Sequence, residues 1–379
     1  MMTDTPSAKH ILVTGGCGFI GANLVPMLES TGCSVRVLDN LSKGSTDYLA
    51  GTHPDIQIGD VRDRAVVAAA LEGIDADIHL AAFGSVVDSV ADPDENFDVN
   101  VHGTFVILDE ARKAGVTRFV FASTGGALIG NAEPPVDETS LPRPISPYGA
   151  SKLCGEAYCS AFAAAYGMSI TALRFANVID PWSWHKKGAV TAFAKAILED
   201  RPITIYGDGS ATRDFLMVDD LCDGIRRGLT ANLPGFNVFH LASGREVSVA
   251  ELARLLCETA GKPDHTRSSG KTNAPERLNA TSPRSTARAA HSASLRPTCW
   301  RTRSQTPGSR WRRRQRSRLD ARRDRGPPPP PPSTRHRAAF LATVSLSGPF
   351  QQLAYQGKRR TVNGHRLCRH PIAPPGRYD

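Results

Sequence analysis

The sequence predicts an α/β fold built on a doubly wound parallel sheet and followed by a disordered basic C-terminal tail. Short apolar runs alternate with helical patterns as far as Thr259, which is typical of a parallel sheet covered by helices. The first apolar run leads directly into a glycine-rich turn and a helical pattern. After Pro283 the composition changes to Arg, Ser, Thr and Pro, with six consecutive prolines over residues 327–332. A segment of that composition is not expected to fold.

The net charge of +9 over 379 residues divides unevenly along the chain. After Pro283 there are 22 of the 46 Lys and Arg residues but only three acids, Asp320, Asp324 and Asp379. The preceding residues therefore carry a net charge of −10. Because the basic charge belongs to the tail alone, it gives little reason to expect a nucleic-acid partner for the folded part.

The eight cysteines are scattered, without a C-x-x-C pair or a neighbouring cluster of histidines. This spacing argues against a zinc site and against a disulfide framework. Residues 1–10 are polar and too short for a signal peptide, and no apolar run approaches the roughly 20 residues that span a membrane. We therefore expect a cytoplasmic protein with no metal and no membrane partner.

The first predicted strand, His10–Thr14, is followed by GGCGFIG and then by a helical pattern. Gly15, Gly18 and Gly21 have the spacing G-x-x-G-x-x-G. Glycines at these places allow a sharp turn, a close approach of the backbone to a pyrophosphate, and close packing of helix on strand. The phosphates would lie at a helix N-terminus, which favours anions. The segment predicts a dinucleotide-binding loop, although a plain glycine-rich turn remains the alternative.

The second predicted strand, Ser34–Leu38, ends in Asp39. A carboxylate at this place accepts hydrogen bonds from the ribose hydroxyls of NAD and repels the 2′-phosphate of NADP. Lys43 is the only base between Asn40 and Gly44, so NAD is favoured. The alternative is an ordinary Asp that caps the turn after the strand.

Two further apolar runs, Ile56–Ile58 and Asp77–Leu80, predict the third and fourth strands. Asp60 follows the third strand, where it could accept a hydrogen bond from an adenine amine or cap the next helix. Ala81 and Ala82 follow the fourth strand, where small side chains let a cofactor lie against the strand end.

A helix is predicted to begin at Asp92-Pro93 and to carry Asn100. Phe119–Ala122 predicts a fifth strand, which ends at Ser123-Thr124-Gly125-Gly126. Strands that alternate with helices in this way point to a parallel, doubly wound sheet.

The segment SPYGASK, residues 146–152, places Tyr148 and Lys152 four residues apart, just after Pro147. A proline is favourable at a helix start, and positions i and i+4 lie on one helix face. An ammonium group beside a phenol favours the phenolate and lowers its pKa, so Tyr148 is a candidate base near neutral pH. The spacing alone is common and does not identify a catalytic pair.

These motifs occur in an order that resembles the extended short-chain dehydrogenase/reductase family, in its nucleotide-sugar epimerase/dehydratase branch. The resemblance covers about Lys9–Thr259 and rests on TGGCGFIG, Asp39, Asp60-Val61, Ala81-Ala82, NVHGT, STGG and SPYGASK. It implies a Rossmann domain that binds NAD and a smaller α/β substrate domain.

In this family Tyr148 would be the base, and Lys152 its electrostatic partner and a contact to the ribose. Ser123 or Thr124 would supply the hydroxyl that shares a hydrogen bond with the substrate oxygen. Thr124 is favoured, with a strand-end hydroxyl bonded to backbone as the alternative. Asn100 would support the site.

The resemblance also implies a set of cofactor contacts from the loop, the strand ends and the catalytic helix: Gly15, Gly18, Phe19, Ile20, Gly21, Asp39, Asn40, Asp60, Val61, Ala81, Ala82, Asn100, Tyr148 and Lys152. The implied substrate contacts are Ser85, Thr124, Asn177, Val190, Tyr206 and Arg213. Arg213 suits a diphosphate through its paired donors, with a structural turn at Asp214 as the alternative. The aromatic and basic segment 182–188 would hold the substrate or form a surface loop, and Arg277 weakly matches a second phosphate contact.

Oxidation of a sugar carbinol needs a base for the proton and an acceptor for the hydride, which a phenolate and NAD provide. Similar 4,6-dehydratases have an Asp-Glu pair after the Thr, where this chain has Gly125 and Gly126. The resemblance therefore implies NAD-dependent epimerisation of a nucleotide sugar, with C4 of a UDP-hexose favoured and a 4-keto sugar as intermediate. The alternatives are another nucleotide-sugar oxidoreductase and a non-catalytic NAD-binding regulatory protein. Family members are often homodimers through the helices carrying Asn100 and Tyr148.

We expect residues 1–175, with part of 214–245, to form the NAD-binding domain. Residues 176–213 and 246–283 would form a partial nucleotide-sugar domain, and residues 284–379 the disordered tail. The alternatives for the tail are a natural disordered segment and an out-of-frame translation, of which we favour the second. One GC-rich coding choice for residues 284–294, read from its third base, gives VDRARRALGF, which resembles the family's C-terminal segment. In that case the substrate domain would be incomplete.

Overall fold

The computed structural model describes residues 9–133, 135–179, 188–231, 233–262 and, for the backbone, 266–268. The strands are β1 His10–Thr14, β2 Ser34–Asp39, β3 Asp55–Ile58, β4 Ala76–His79, β5 Arg118–Thr124, β6 Ser169–Phe175, β7 Asn177–Ile179, β8 Ile203–Ile205, β9 Thr212–Met217, β10 Phe236–Leu241, β11 Glu246–Ser248 and β12 Thr266–Ser268. The segment 182–187, Arg277 and the tail 284–379 lie outside the described residues.

The helices alternate with the strands of the first half of the chain. They are α1 Gly21–Ser30, α2 Arg64–Ala70, α3 Val86–Ala91, α4 Pro93–Phe97, α5 Gly103–Lys113, α6 Gly126–Ile129, α7 Pro147–Tyr166, α8 Ala189–Leu198, α9 Val218–Thr230 and α10 Val249–Thr259. A short 3-10 helix covers Thr46–Leu49, and a wide π-type turn over Asp98–His102 joins α4 to α5. The helix predicted to begin at Asp92-Pro93 therefore continues through this turn, which carries Asn100.

Seven strands form one parallel sheet in the order β10-β6-β5-β4-β1-β2-β3. The predicted doubly wound sheet is confirmed. The strand order reverses between β1 and β4, and ligands of open α/β sheets bind in the crevice at such a switch point. β6 and β10 are the two members of this sheet that the sequence prediction did not assign.

Both faces of the large sheet are buried because helices cover each of them. Leu12 and Val13 are neighbours on β1, so their side chains point to opposite faces. Val13 belongs to the apolar cluster that includes Leu24 of α1 and Ile225 of α9. Leu12 belongs to the cluster that includes Ile107 of α5. Each such side chain contributes about 1.5–3 kcal/mol on burial. The sheet is therefore stable and fixes the position of the groups at its carboxyl edge.

A smaller group of elements has its own apolar core. It contains a three-stranded sheet, β11-β9-β7, the pair β12-β8, and the helices α8 and α10. Val190 and Phe193 of α8 pack with Leu252 and Leu256 of α10 in this core. Most of these elements come from the two ranges expected for the nucleotide-sugar domain, and the division into domains stays a proposal.

The described ranges carry no helix with the length and apolar character needed to cross a bilayer. Within them, no three His, Cys, Asp or Glu side chains gather closely enough to hold a metal ion. Their cysteines are free thiols, at positions 17, 33, 154, 159, 222 and 257.

Asp77 of β4 is a buried carboxyl group within the large sheet. It is fully buried, and among the described residues its two oxygens have no hydrogen-bond partner. Burial without a partner disfavours the charged form, so the pKa of Asp77 lies well above the ordinary value of 3.8. The native state keeps a proton that the unfolded chain releases above about pH 4. Asp77 therefore costs native stability as the pH rises from acid towards neutrality.

Replacing Asp77 by Val is expected to raise the free energy of unfolding at pH 7 by about 1–3 kcal/mol. The substitution removes an unpaired buried group and places a β-branched residue in a strand. Urea unfolding should show a larger gain at pH 7 than at pH 3.5. Asp75→Asn is the control: the exposed Asp75 accepts from the backbone N–H groups of Lys9 and His10, which lower its pKa, so its loss should reduce stability at pH 7. An Asp77→Val variant no more stable than wild type at pH 7 would contradict this reading.

Candidate active site

The glycine loop joins the end of β1 to the start of α1. Gly15 has φ +70°, and a Cβ added to it would lie 2.7 Å from the backbone nitrogen of Ala81. A Cβ on Gly21 would lie 2.3 Å from the carbonyl oxygen of Gly16, and one on Gly18 would lie 3.2 Å from the carbonyl oxygen of Gly15. The loop is therefore packed so closely that side chains at Gly15 and Gly21 would force the backbone apart.

The N-terminus of α1 suits an anion. Its first turn contains no acid, and its N-cap residue, Ile20, makes no capping hydrogen bond with its side chain. Phe19 is 7% exposed and Ile20 packs against the core, so both hold the loop in place. The backbone N–H groups and the helix dipole favour a phosphate at this position.

Replacing Gly15 by Ala is expected to abolish the stabilisation of the protein by NAD. The added Cβ meets the backbone of Ala81, which has no flexible atom that could yield. Gly32→Ala is the matched control, because Gly32 also has a positive φ, +85°, but nothing lies within 4 Å of its added Cβ. That control should lose about 1–2 kcal/mol from backbone strain alone. Thermal unfolding with and without NAD measures both variants; an equal NAD-induced shift in Gly15→Ala and wild type would refute the expectation.

Asp39 ends β2 and is 8% exposed. Its oxygens accept hydrogen bonds from the backbone N–H of Cys17 at 3.0 Å and of Leu41 at 2.8 Å. Burial raises the pKa of Asp39, while the two backbone N–H groups oppose that rise. Leu41 has φ +56°, in the left-handed region that a Leu rarely adopts. The carboxylate of Asp39 therefore caps the turn after β2, as the alternative held, and it also joins β2 to the glycine loop.

Asp60 follows β3 and lies beside Asn40, whose side-chain amide donates to it at 3.1 Å. Arg62 binds the same carboxylate through Nε at 2.7 Å and Nη2 at 2.5 Å. Burial favours a higher pKa, but the hydrogen bonds from Arg62 and Asn40 outweigh it and lower the pKa of Asp60 to about 2. The idea that Asp60 caps the next helix is wrong, because Asp63 accepts from the free N–H groups of α2.

Three further residues of the expected cofactor set lie at the carboxyl edge of the sheet. Ala81 and Ala82 are half-buried, and the N–H of Ala81 donates to Oγ1 of Thr14 at 3.3 Å. Val61 is 6% exposed, and a Cβ on Gly103 would lie 2.8 Å from its Cγ2. These side chains add apolar surface to the edge and no polar group.

Asn100 ties the chain after β4 to helix α7. Its Oδ1 accepts from the backbone N–H of Phe83 at 2.7 Å, and its Nδ2 donates to Oγ of Ser151 at 3.0 Å. Ser151 in turn donates to the carbonyl oxygen of Tyr148 at 2.8 Å. Asn100 is 1% exposed, so this chain of hydrogen bonds is shielded from water. The arrangement is that of a supporting residue behind the candidate base.

Tyr148 lies in the first turn of α7, as expected. Ser146 caps this helix, and Oγ of Ser89 on α3 accepts from the backbone N–H of Tyr148 at 3.2 Å. Burial raises the pKa of the Tyr148 phenol to about 12. The expectation of a lowered pKa for Tyr148 is therefore wrong for the protein alone, because burial disfavours the phenolate.

Lys152 is one helical turn further along α7 and is 2% exposed. Its Nζ donates to the carbonyl oxygen of Ala122 at 2.8 Å and lies 4.9 Å from the centre of the Phe121 ring. Burial lowers the pKa of Lys152 to about 8. The positive charge is thus anchored to β5, the strand that carries the candidate hydroxyl groups.

The two candidate hydroxyl groups have different surroundings. Ser123 is 2% exposed and donates to Oε1 of Glu156 at 2.6 Å. Glu156 is paired with Arg174 through two hydrogen bonds of 2.9 and 2.8 Å. Thr124 is half-buried at the end of β5. Ser123 therefore belongs to a buried network, and the less buried Thr124 stays the favoured candidate for the hydroxyl that meets the substrate.

The remaining substrate candidates do not form one cluster of exposed groups. Ser85 caps α3 by accepting from the backbone N–H of Asp88 at 3.1 Å. Val190 is 5% exposed in the core of the smaller group of elements. Tyr206 is 60% exposed. Ser85 immediately precedes α3, a helix that packs against α7.

Asn177 and Arg213 lie on the paired strands β7 and β9. Nδ2 of Asn177 donates to the carbonyl oxygen of Asp214 at 3.2 Å. Burial lowers the pKa of the Arg213 guanidinium, whose Nη1 donates to the preceding carbonyl oxygen at 2.6 Å. Asp214 accepts from the backbone N–H groups of Ser243 at 2.9 Å and Gly244 at 2.7 Å. Arg213 and Asp214 both lie within β9, so the turn offered as the alternative for this pair is not formed there. The carboxylate of Asp214 instead holds the backbone at Ser243 and Gly244.

Sequence reasoning missed three polar residues that hold the candidate site together: Ser89, Ser151 and Glu156. Glu156 had a usable signal, because it lies four residues after Lys152 and so on the same face of α7. Ser89 and Ser151 had none, since a serine in a helix usually bonds to its own backbone or to water.

Comparison with known proteins places these features in context. Residues 11–241 match the model of the NAD dependent epimerase/dehydratase family. The UDP-glucose 4-epimerase of Mycolicibacterium smegmatis is 37% identical over 265 residues, which are 67% of this chain and 83% of that protein. A dTDP-glucose 4,6-dehydratase of Streptomyces griseus is 34% identical over 264 residues, 66% of this chain and 79% of the dehydratase.

A solved structure supports the same relationship. The crystal structure of the UDP-glucose 4-epimerase of Thermotoga maritima with UDP-glucose superposes with a TM-score of 0.66 at 35% identity, covering 72% of this chain and 88% of the epimerase chain. The similarity therefore extends over most of the length of each relative and includes both epimerases and a dehydratase.

Proposed function

The chain belongs to the NAD-dependent epimerase/dehydratase family, and we propose that it epimerises a UDP-hexose at C4 through a 4-keto sugar. The observation that carries the proposal is the end of β5. There the carbonyl of Ala122 holds Lys152, Thr124 ends the strand, and two glycines follow. Together with the candidate base Tyr148 of α7, this gives the site a positive charge and a hydroxyl, without an additional acid after the hydroxyl.

NAD is the cofactor of this family, and the residues present fit it. The close packing at Gly15 leaves no room for a side chain where the pyrophosphate would approach, and the uncapped N-terminus of α1 would hold the phosphates. Asp39 would accept from the adenosine ribose, and Asn40 and Asp60 would meet the adenine. When bound, NAD would supply the acceptor, and then the donor, for a hydride of the substrate.

Tyr148 would take the proton of the C4 hydroxyl, and Thr124 would share a hydrogen bond with the same oxygen. A phenol with a pKa of about 12 is a poor base at neutral pH. The reaction therefore needs positive charge near the phenol once cofactor and substrate are in place, and Lys152 is held one turn away to contribute it. Turnover then depends on a loaded site, since the phenol of the protein alone stays protonated.

The absence of acids at two positions favours epimerisation over 4,6-dehydration, the second candidate. A dehydratase needs a group that removes a proton from C5, and the resemblance places an Asp-Glu pair at Gly125 and Gly126 in those enzymes. A Cβ on Gly126 would meet nothing within 4 Å, and one on Gly125 would lie 3.5 Å from Nδ1 of His240. With no carboxylate there, the 4-keto sugar would turn over and take the hydride back on its other face.

The test is incubation of the full chain with UDP-glucose or UDP-N-acetylglucosamine, without added reductant, followed by NMR of the products. We expect the C4 epimer with no net consumption of NAD. A 4-keto-6-deoxy sugar would favour the dehydratase reading instead. If NAD-loaded protein converts neither sugar, either the sugar is wrong or the substrate domain is incomplete. Repetition with the reading frame restored after Pro283 separates the two: conversion then shows an incomplete domain, and no conversion shows that the proposed substrate is wrong.

We also propose a homodimer. Helices α3 and α4 both pack against α7, and the three helices carry exposed apolar side chains: Val87 at 50%, Val90 at 45%, Phe97 at 58% and Tyr158 at 38%. Apolar groups collected on a monomer surface often mark an interface. Sedimentation velocity should give a dimer for the wild type and a monomer for Phe97→Glu. A wild type that stays monomeric at micromolar concentration would exclude the dimer.

A further inference from the structure

We propose that Glu156 is a positioning residue for the reaction. Held by Arg174 and Ser123, it fixes helix α7 on β5 so that Tyr148 and Lys152 lie correctly against Thr124. The inference rests on the proposed function, because it concerns the same base and hydroxyl. Glu156 itself contacts neither substrate nor cofactor in this account and acts only through the helix it holds.

The first argument is the placement of the anchors on α7. Tyr148, Lys152 and Glu156 follow one another at intervals of four residues, so they share one face of the helix. Lys152 bonds to the carbonyl of Ala122 at 2.8 Å, and Glu156 accepts from the hydroxyl of Ser123 at 2.6 Å. The two anchors therefore end on consecutive residues of β5, immediately before Thr124. A rotation or slide of α7 would break both.

The second argument is the origin of the three partners. Ser123 and Arg174 are register partners on β5 and β6, and Glu156 comes from the helix above them. The Arg174 and Glu156 side chains are each 6% exposed, and both guanidinium contacts to the carboxylate are short, at 2.8 and 2.9 Å. A planar guanidinium that bonds a carboxylate through two parallel donors fixes orientation as well as distance. The cluster thus locks one helix to two strands.

The third argument is that stability alone does not call for this cluster. A buried ion pair pays a desolvation cost that often equals its Coulombic gain, and apolar replacements are often neutral or stabilising. The presence of this cluster next to the first turns of α7 then indicates that it fixes the position of the helix.

The cluster also reaches the segment that precedes α7. Nη1 of Arg174 donates to the carbonyl oxygen of Glu138 at 3.3 Å. Oε1 of Glu138 accepts from the backbone N–H of His240 on β10 at 2.7 Å. The guanidinium of Arg174 therefore holds two segments: the loop that leads to Ser146 and Tyr148, through Glu138, and helix α7, through Glu156.

Apolar replacement of the whole cluster separates positioning from stability. In the triple variant Ser123→Ala, Glu156→Met and Arg174→Met, no member of the cluster is left unpaired, so the unfolding temperature should stay near that of the wild type. We expect kcat for epimerisation to fall about 10- to 100-fold because of misplacement, with KM little changed. A triple variant with the kcat of the wild type would overturn the proposal.

Ser123 provides a second test with a smaller risk of misfolding. Ser123→Ala removes the donor to Glu156, whereas Ser123→Thr keeps it. We expect kcat to fall by about 2- to 10-fold in the first variant and to recover in the second, with unchanged NAD content in both. Glu258→Gln is the matched control, since it breaks an exposed ion pair with Arg254 on α10 and should change neither quantity. Equal kcat in Ser123→Ala and wild type would count against the proposal.

Failure of the proposed function is distinguishable from failure of this inference. If the wild type turns over no sugar, the ionisation of Tyr148 still reports the position of Lys152. A UV difference titration of NAD-loaded protein against Tyr148→Phe in the same background isolates this phenol. We expect the triple variant to titrate at higher pH than the wild type, because a displaced ammonium group stabilises the phenolate less. Identical titrations would overturn the proposal.

Discussion

Tyr148→Phe is expected to lose epimerase turnover by about 100- to 10,000-fold while the protein keeps its NAD. The substitution removes one oxygen, and the ring remains to fill the half-buried site at the start of α7. The backbone contacts of this position are also kept, because Ser89 and Ser151 bond to its N–H and carbonyl oxygen and not to the phenol. Loss of the base should therefore appear in kcat, with NAD content and unfolding temperature little changed.

The same substitution elsewhere on the helix serves as the control. Tyr166 ends α7, is 53% exposed and contacts Phe162 and Arg112. Tyr166→Phe removes the same atom from the same helix and should leave kcat unaltered. Product NMR with either UDP-sugar gives the rates, and absorbance of released cofactor gives the NAD content. If Tyr148→Phe kept most of its turnover, Tyr148 would not be the base and another residue would have to take that role.

Lys152→Met should give the second-largest loss, about 100-fold or more in kcat. Methionine keeps an unbranched chain of similar length but has no charge, and it leaves the carbonyl of Ala122 without its donor. Lys113→Met is the control, because Lys113 is an exposed lysine of α5 whose ion pairs lie on the surface. Such pairs contribute little, so this control should keep its turnover. If Lys152→Met kept the kcat of the wild type, the ammonium group would have no part in the proposed chemistry.

The lowered pKa of Lys152 leads us to expect that the stability of the protein depends on pH. Burial lowers this pKa from the ordinary 10.5 to about 8. Between these values the unfolded chain holds a proton that the native protein has released, so the contribution of Lys152 raises stability as the pH increases from 8 towards 10.5. Urea unfolding at two pH values in this window should show that gain in the wild type relative to Lys152→Met. If the free energy of unfolding changed with pH by the same amount in both proteins, the lowered pKa of Lys152 would be ruled out.

Much of the large sheet could be predicted because β1 to β5 are short, mainly apolar runs. β1 has the predicted bounds, and β2 to β5 differ from theirs by one or two residues. β6 was not assigned, and β10 could not be recognised in the same way. All six of its residues are half-buried, since it is an edge strand, and the polar Asn237 and His240 interrupt its apolar run.

Some residues of the candidate site could likewise be predicted from the sequence, and others could not. The glycine loop, Asp39, Tyr148 and Lys152 are carried by local motifs, so their elements could be foreseen. The partners of Ser123 could not, because Glu156 is 33 residues away along the chain and meets it only when α7 lies on the sheet. The pKa of Tyr148 also escaped prediction, since it depends on burial by distant segments and not on the spacing to Lys152.

The pairing of Glu156 with Arg174 constrains the order in which the chain can fold. Without Arg174, docking of α7 on β5 would bury an uncompensated carboxylate, which costs about 3–5 kcal/mol. β6 must therefore be in place before α7 can settle, although the helix is synthesised first. A nascent chain that stops between residues 166 and 174 would hold a complete α7 with no stable position for it. The proposed catalytic pair, Tyr148 and Lys152, would thus be assembled late and together with the sheet, so epimerase activity is expected to report complete folding.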